Sequence, residues 1–287
     1  MYKRQGQDAV LTELTTVGIP ARRSQREQLM AHLPAQIPTA IAEGQLVLAY
    51  QPIVDLDGRA RKVEALVRWD HPTLGLLLPG GFIGAVEHSP HVGALTGEVL
   101  RQACQQVARW RADGLADLEL AVNISRRELV DRRIVDRVRK ALAASGLPAG
   151  ALWVETTETT EALDHPRARR TIEQLRALGV RFALDDFGTG FATLAELHRF
   201  PPDALKIDRM FVDGLPADEG DAAIVRSVVG LGEELGLHVI AEGVETAAQH
   251  EALVALGCTL FQGYLFARPA AAEPTPTWGS VPVTASA

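Results

Sequence analysis

The sequence predicts an α/β fold, a (β/α)8 barrel that begins with an antiparallel pair of strands. Five glycines each follow a helix-like segment and precede a strand-like run; they are Gly114, Gly146, Gly179, Gly236 and Gly257. The chain has 287 residues, and one such barrel typically takes about 250. The first two strand-like runs are joined by a short turn at Asp57-Gly58, which is typical of antiparallel neighbours. The alternation that follows favours parallel strands for the rest of the barrel.

Eight strand-like runs are predicted in chain order. They are residues 46–54, 61–69, 118–123, 152–155, 180–185, 204–208, 237–242 and 259–262. Residues 1–35 show little periodicity and are predicted to be a linker, a connecting helix or an N-terminal extension, whereas 36–270 form the barrel domain. The tail 271–287 is rich in Ala, Pro, Thr and Ser and is predicted to be disordered.

Composition narrows the class of protein. The formal net charge is -7, so no basic stripe is available for a nucleic-acid polymer, and an anionic ligand would need metals or local cations. Two cysteines give no disulfide framework, and no run is long enough to predict a membrane span in this chain. We therefore expect a protein of the reducing cytoplasm.

Residues with carboxylate, amide or ammonium side chains recur at the ends of the predicted strands. They are Glu64, Asn123, Glu155, Asp185 with Asp186, Lys206, Glu242 and Gln262. In a barrel these ends converge on one face, where active sites lie. Asp185 and Asp186 cannot both stay ionised beside an apolar core unless cations neutralise them. The pattern predicts a site for two oxygen-liganded cations, with Lys206 holding an attacking water or screening developing charge.

Taken singly, these residues have ordinary explanations. Glu64 could face solvent, Asn123 could cap a helix, and Glu155 with Glu158 could belong to a capping box. Lys206 and Asp208 could form a surface ion pair. An enolase-like barrel with one Mg²⁺ and a lysine base is a second enzyme interpretation, but the adjacent aspartates fit two metals better.

The same positions carry an ordered set of motifs. They are Tyr50-Gln-Pro-Ile53, Glu64-Ala-Leu66, Asn123-Ile-Ser125, Glu155-Thr-Thr-Glu158, Asp185-Asp-Phe-Gly-Thr-Gly190, Leu205-Lys-Ile-Asp208, Glu242-Gly-Val-Glu245 and Gln262-Gly-Tyr264. From about Ile37 to Pro269 the chain closely resembles the EAL family of cyclic di-GMP phosphodiesterases. One departure is Glu128, which stands where the family commonly has glutamine.

The resemblance implies a TIM-like barrel with its first strand antiparallel and two Mg²⁺ or Mn²⁺ ions. One ion would be held by Glu64, Asn123, Glu155 and Asp185, and the other by Asp185, Asp186 and Glu242. Lys206 would contact the catalytic water, and Glu242 and a metal-bound hydroxide are both candidates for the general base.

The resemblance also assigns roles around these ligands. Gln51, Arg68 and Gln262 would bind or position the substrate, while Glu158, Asp208 and Glu245 would support the metal shell. The implied reaction is two-metal hydrolysis of cyclic di-GMP to linear 5'-pGpG.

The resemblance leaves an alternative function and several partners undecided. The alternative function is a catalytically silent cyclic di-GMP receptor or a protein-interaction module. A homodimer is a further possibility, and so is an upstream GGDEF or sensor domain, because residues 1–7 faintly resemble the last turn of a GGDEF domain.

Overall fold

A computed structural model of the chain describes residues 20–157, 166–189, 197 and 201–273, with side chains from residue 29 onward. The strands are β1 Leu46–Asp55, β2 Ala60–His71, β3 Gly75–Leu77, β4 Glu119–Asn123, β5 Leu152–Thr157, β6 Arg181–Phe187, β7 Ala204–Ile207, β8 His238–Glu242, β9 Leu260–Gln262 and β10 Ala270–Ala271. The helices are α1 Pro20–Ala42, α2 Pro79–Glu87, α3 Val92–Ala112, α4 Arg126–Leu129, α5 Arg133–Ser145, α6 Pro166–Ala177, α7 Arg209–Asp213, α8 Glu219–Leu235 and α9 Ala247–Ala255.

Eight of these strands close into a barrel. β2, β4, β5, β6, β7, β8 and β9 pair in parallel in that order, and β1 pairs antiparallel with both β2 and β9. Leu46 at the start of β1 therefore lies opposite Trp69 near the end of β2. The predicted (β/α)8 barrel with a reversed first strand is confirmed, and each of the eight predicted runs overlaps a barrel strand.

Helix ends follow the predicted glycine signals. All five glycines have positive φ, which is the left-handed conformation that ends a helix most readily without a Cβ. Gly146 and Gly236 are the C-caps of α5 and α8. The sequence signal was strong because it combined a helical segment, a conformation that glycine favours and a strand directly afterwards.

Two short strands were not predicted. β3 extends β2 with three residues that include Gly75, and β10 places Ala270 and Ala271 against β1. Neither has the length or the β-branched residues that identify a strand in a sequence. The predicted tail 271–287 thus begins inside a strand pairing, and its residues from 274 lie outside the described residues.

The predicted linker contains part of a helix. α1 crosses the predicted boundary between residues 35 and 36 and includes Pro34 and Pro38. Leu33, Ile37 and Ala40 are fully buried along one side of α1. Burial of this stripe explains how the helix continues through prolines that are unfavourable in helix interiors.

The barrel interior contains a small apolar cluster. Small side chains at Ala121, Ala183 and Ala204 leave room for the indole of Trp153 to extend across the barrel, together with Ile53 and Ile240. This cluster separates two groups of polar residues, one at each end of the barrel. None of the described helices is long and apolar enough to cross a bilayer.

Candidate active site

The carboxyl ends of the parallel strands bring the predicted ligands together. In the ladder, Asn123 of β4 lies beside Glu155 of β5, and Glu242 of β8 lies beside Gln262 of β9. Glu64, Glu155, Asp185 and Glu242 are buried. The interpretation of Glu64 as a solvent-facing strand residue is therefore wrong, because the barrel interior encloses its carboxylate.

Lys206 is the cation at the centre of this group. Its side chain is fully buried, and its Nζ lies 2.6 Å from Glu155 Oε2, 2.6 Å from Glu242 Oε1, 3.4 Å from Asp185 Oδ1 and 3.9 Å from Glu64 Oε2. Burial alone would lower the pKa of Lys206, but these four carboxylates raise it well above its usual value. Lys206 is therefore an ammonium that compensates several buried negative charges. The alternative of a surface ion pair between Lys206 and Asp208 is wrong, because Lys206 is fully buried.

Amide side chains hold the carboxylate of Glu64. Asn123 Nδ2 donates to Glu64 Oε1 at 2.7 Å, and Gln262 Nε2 donates to Glu64 Oε2 at 2.6 Å. Gln262 Nε2 also lies 3.2 Å from Gln51 Oε1, while Gln51 Nε2 donates to the carbonyl of Ala267 at 3.1 Å. Gln51 and Gln262 are thus buried positioning groups for Glu64 in this arrangement.

Arg68 lies on the same face of β2 as Glu64, four residues nearer the mouth of the barrel. It is buried, and its Nη1 donates to the carbonyl of Val67 at 3.0 Å. Burial lowers the pKa of Arg68, and the charge of Glu64 opposes this effect. The predicted role of Arg68 in binding the substrate stays a prediction.

Asp185, Asp186 and Glu242 form a second carboxylate group. Each offers an oxygen that lies within 4.8 Å of the others. Successive side chains of a strand normally point to opposite faces, but Asp186 has a left-handed backbone with φ of 57° beside a register shift between β6 and β7. This local irregularity brings two adjacent aspartates to one site, and the sequence alone gives no signal for it.

Asp186 has a strongly perturbed carboxyl group. Burial raises its pKa to about 8, with further increases from the charge of Asp185, a hydrogen bond with Asp208 and the charge of Glu242. A cluster of this kind holds more negative charge than its surroundings compensate. These oxygens are the donor set that hard divalent cations prefer.

The predicted supporting residues lie in two turns beside this group. Asp208 is the N-cap of α7 and accepts from the backbone N–H of Met210 at 2.7 Å. Glu245 lies 2.8 Å from Arg209 Nη1, and a Cβ at Gly243 would collide with the stem of Arg209. The sequence analysis did not identify Arg209, because a basic residue after Asp208 does not by itself indicate this contact. Glu158 and Gly190 lie outside the described residues.

The family model of the EAL domain matches residues 35–269, which is most of the chain. The chain belongs to the EAL domain family. The match agrees with the site, since all the described motif residues at the strand ends fall within it.

Curated relatives of this EAL domain include two proteins of Pseudomonas aeruginosa. The bifunctional diguanylate cyclase/cyclic di-GMP phosphodiesterase MucR is 44% identical over 235 residues, covering 82% of this chain and 34% of MucR. The cyclic di-GMP phosphodiesterase NbdA is 43% identical over 235 residues, covering 82% of this chain and 30% of NbdA. The chain spans about a third of the length of these relatives.

A solved structure has the same fold. The PaMucR phosphodiesterase in complex with c-di-GMP matches with a TM-score of 0.79 and 43% sequence identity, covering 84% of this chain and 98% of that one. The likeness therefore covers most of this chain.

Proposed function

We propose that this EAL domain hydrolyses cyclic di-GMP to linear 5'-pGpG with the help of two divalent cations, Mg²⁺ or Mn²⁺. The observation that carries the proposal is the approach of Asp185, Asp186 and Glu242 at the same mouth as Glu64, Asn123 and Glu155. The names of MucR and NbdA and the c-di-GMP complex of PaMucR support the choice of substrate.

The donor groups fit two hard cations. Glu64, Asn123, Glu155 and Asp185 would hold one, and Asp185, Asp186 and Glu242 would hold the other. The raised pKa of Asp186, about 8, reflects buried negative charge that a second cation would compensate. When bound, such cations polarise phosphoryl oxygens and activate water.

The residues of the chain supply position and charge. Lys206 Nζ lies between Glu155 and Glu242, where it can also donate a hydrogen bond to the attacking water. Arg68 presents a cation for a phosphate at the mouth, and Gln51 and Gln262 orient Glu64. Water adds to one phosphorus, the bond from that phosphorus to the 3' oxygen breaks, and the 3' oxygen takes a proton.

The test is conversion of cyclic di-GMP by the purified chain with Mg²⁺ or Mn²⁺, compared with the Asp186→Asn variant. Asparagine tolerates the left-handed backbone of Asp186, so this variant should keep the local backbone while a neutral amide replaces a carboxyl group that can bind a cation. We expect turnover to fall by about 10²- to 10³-fold or more, as when one charge-stabilising group is lost. Chromatography of 5'-pGpG measures the product.

Asp136→Asn is the matched control, because Asp136 is an exposed residue of α5 and pairs with Arg139. Its turnover should equal that of the parent chain. Substantial turnover by Asp186→Asn would contradict the two-metal site. Binding of cyclic di-GMP without product would favour the receptor function, and no binding would contradict the substrate.

The cytoplasmic location, the homodimer and the upstream GGDEF or sensor domain stay predictions. The same holds for the domain boundaries at residues 35 and 270 and for the supporting role of Glu158. The choice between Mg²⁺ and Mn²⁺ is tested by comparing the turnover with each ion.

A further inference from the structure

A cavity of 550 Å³ lies at the end of the barrel opposite the carboxylate cluster. Its walls come from the first residues of the parallel strands, including Glu119 of β4, Arg181 of β6 and His238 of β8. Strand ends and strand starts lie at opposite mouths of a barrel, so this cavity is separate from the site described above. Its size is within the usual range of small-molecule pockets, about 300–1,000 Å³.

Lys62 is a cavity residue whose ammonium is buried and has only distant oxygen partners. It lies two residues before Glu64 on the same face of β2, and its side chain is 4% exposed. Its Nζ lies 3.1 Å from the centroid of the Trp153 ring and 3.9 Å from Glu119 Oε2, and it makes no hydrogen bond within the part of the chain that the structure describes. A buried ammonium without hydrogen bonds is costly, so an oxygen acceptor in the cavity would stabilise it.

The other lining cations have closer carboxylate partners. Arg61 Nε lies 2.6 Å from Asp55 Oδ2, and Arg181 Nη1 lies 2.6 Å from Glu119 Oε1. Glu119 Oε2 also accepts from the indole N–H of Trp153 at 2.8 Å. Glu119 is therefore already engaged by two donors, which leaves the Lys62 ammonium as the group best placed to receive a ligand.

The remaining lining limits the charge and shape of that ligand. Asp57 and Asp117 also line the cavity and repel every negative charge on a ligand, so a ligand with one negative charge is less disfavoured than a ligand with two. Ile53, Leu260 and Leu56 provide an apolar wall. A molecule with one carboxylate and an apolar body matches both features.

We propose that the cavity at the strand-start end of the barrel is a second ligand site that binds small organic monocarboxylates, with the carboxylate on Lys62 and the apolar body against Ile53 and Leu260. The site does not depend on the proposed phosphodiesterase activity. It adds a recognition site for a ligand class that differs from a cyclic dinucleotide.

The test uses three probes of similar size and different charge: benzoate, benzamide and benzylamine. Each is titrated into the full chain labelled at tryptophan indole nitrogens, and the Trp153 signal is identified with the Trp153→Phe variant. We expect benzoate to shift the Trp153 signal with an affinity at least about tenfold higher than that of benzamide, in keeping with a hydrogen bond to a charged group. Benzylamine should bind more weakly still.

Lys62→Met tests the residue, because methionine keeps an unbranched apolar stem without the ammonium. In this variant the preference for benzoate over benzamide should fall to about one, whereas exposed Lys140→Met should keep the parent preference. The parent chain also gives a test that needs no variant. Equal affinities for benzoate and benzamide, tighter binding of benzylamine, or no saturable shift of Trp153 with any probe would overturn the proposal.

Discussion

The two ends of the barrel each contain a buried lysine, and the two lysines have opposite properties. Lys206 lies within 4 Å of four carboxylates, and its pKa is raised well above the usual value. At the other end burial lowers the pKa of Lys62 to about 7, with Glu119 as the nearest carboxylate. Both are in the same barrel and almost equally buried, so burial alone does not determine the charge state.

The difference shows that the neighbouring groups determine whether a buried lysine stabilises the fold or can bind a ligand. At the carboxyl ends, the ammonium is part of a network that also fixes Glu155 and Glu242. At the strand starts, Lys62 has an aromatic face and a carboxylate engaged elsewhere. We therefore expect the same substitution at the two lysines to have different effects on stability.

The largest effect is expected for Lys206→Met. Removing the ammonium leaves Glu155, Glu242 and Asp185 as buried carboxylates without their common cation. The free energy of unfolding of the metal-free chain should fall by about 3–5 kcal/mol. Urea denaturation at pH 8 with a chelator measures this change.

Saturating Mg²⁺ or Mn²⁺ provides the control for that experiment. Cations bound by the carboxylates would replace part of the missing positive charge, so the loss of stability should become smaller. A variant as stable as the parent chain in chelator would contradict the central role of Lys206 in the network.

An intermediate effect is expected at Glu128, which lies in α4 and has one distant cationic partner. Burial raises its pKa to about 7, although hydrogen bonds from Thr96 and Ser125 and the charge of Arg137 oppose the increase. Between about pH 4.5 and 7 the folded chain keeps a proton that the unfolded chain releases, so this contribution to stability is lost as the pH rises. From pH 5 to pH 8 the parent should lose about 2–3 kcal/mol relative to Glu128→Gln.

Paired urea titrations of the parent and Glu128→Gln across this pH range measure that difference. Subtracting the two curves removes the contributions of the other ionisable groups. Parallel curves would mean that Glu128 is compensated as fully as the carboxylates around Lys206, which would remove the distinction between partnered and poorly partnered charges.

The smallest effect is expected for Lys62→Met. At pH 8, above the lowered pKa of Lys62 of about 7, this side chain is largely a neutral amine, so replacing it with an apolar side chain of similar length should change the free energy of unfolding by less than about 1 kcal/mol. The measurement is urea denaturation at pH 8, as for Lys206→Met. A loss as large as that of Lys206→Met would show that the two ends stabilise their lysines equally well.

The barrel was predictable because five helix-to-strand transitions carry a glycine signal, and the reversed first strand because a short turn at Asp57-Gly58 is typical of antiparallel neighbours. The position of Glu64, Asn123, Glu155 and Glu242 at one mouth followed from their places at the predicted strand ends. A shared site for Asp185 and Asp186 was also predicted, but the left-handed residue and the register shift that bring their side chains together were not.

Lys62 shows a second limit of the sequence analysis. It shares the inward face of β2 with Glu64, and this two-residue spacing was a usable signal. Its significance, however, comes from Trp153 and Glu119, which approach from strands far along the chain. Such long-range proximity follows from barrel closure rather than from any local pattern.

The reversed direction of β1 has a mechanical consequence. In a barrel whose strands are all parallel, the chain enters at the end opposite the active site, but here Leu46 begins β1 beside Trp69 at the carboxyl end of β2. α1 ends at Ala42, only a short connection away from that entry point. A tilt of α1 would therefore displace the start of β1, which lies at the end of the barrel that contains the carboxylates.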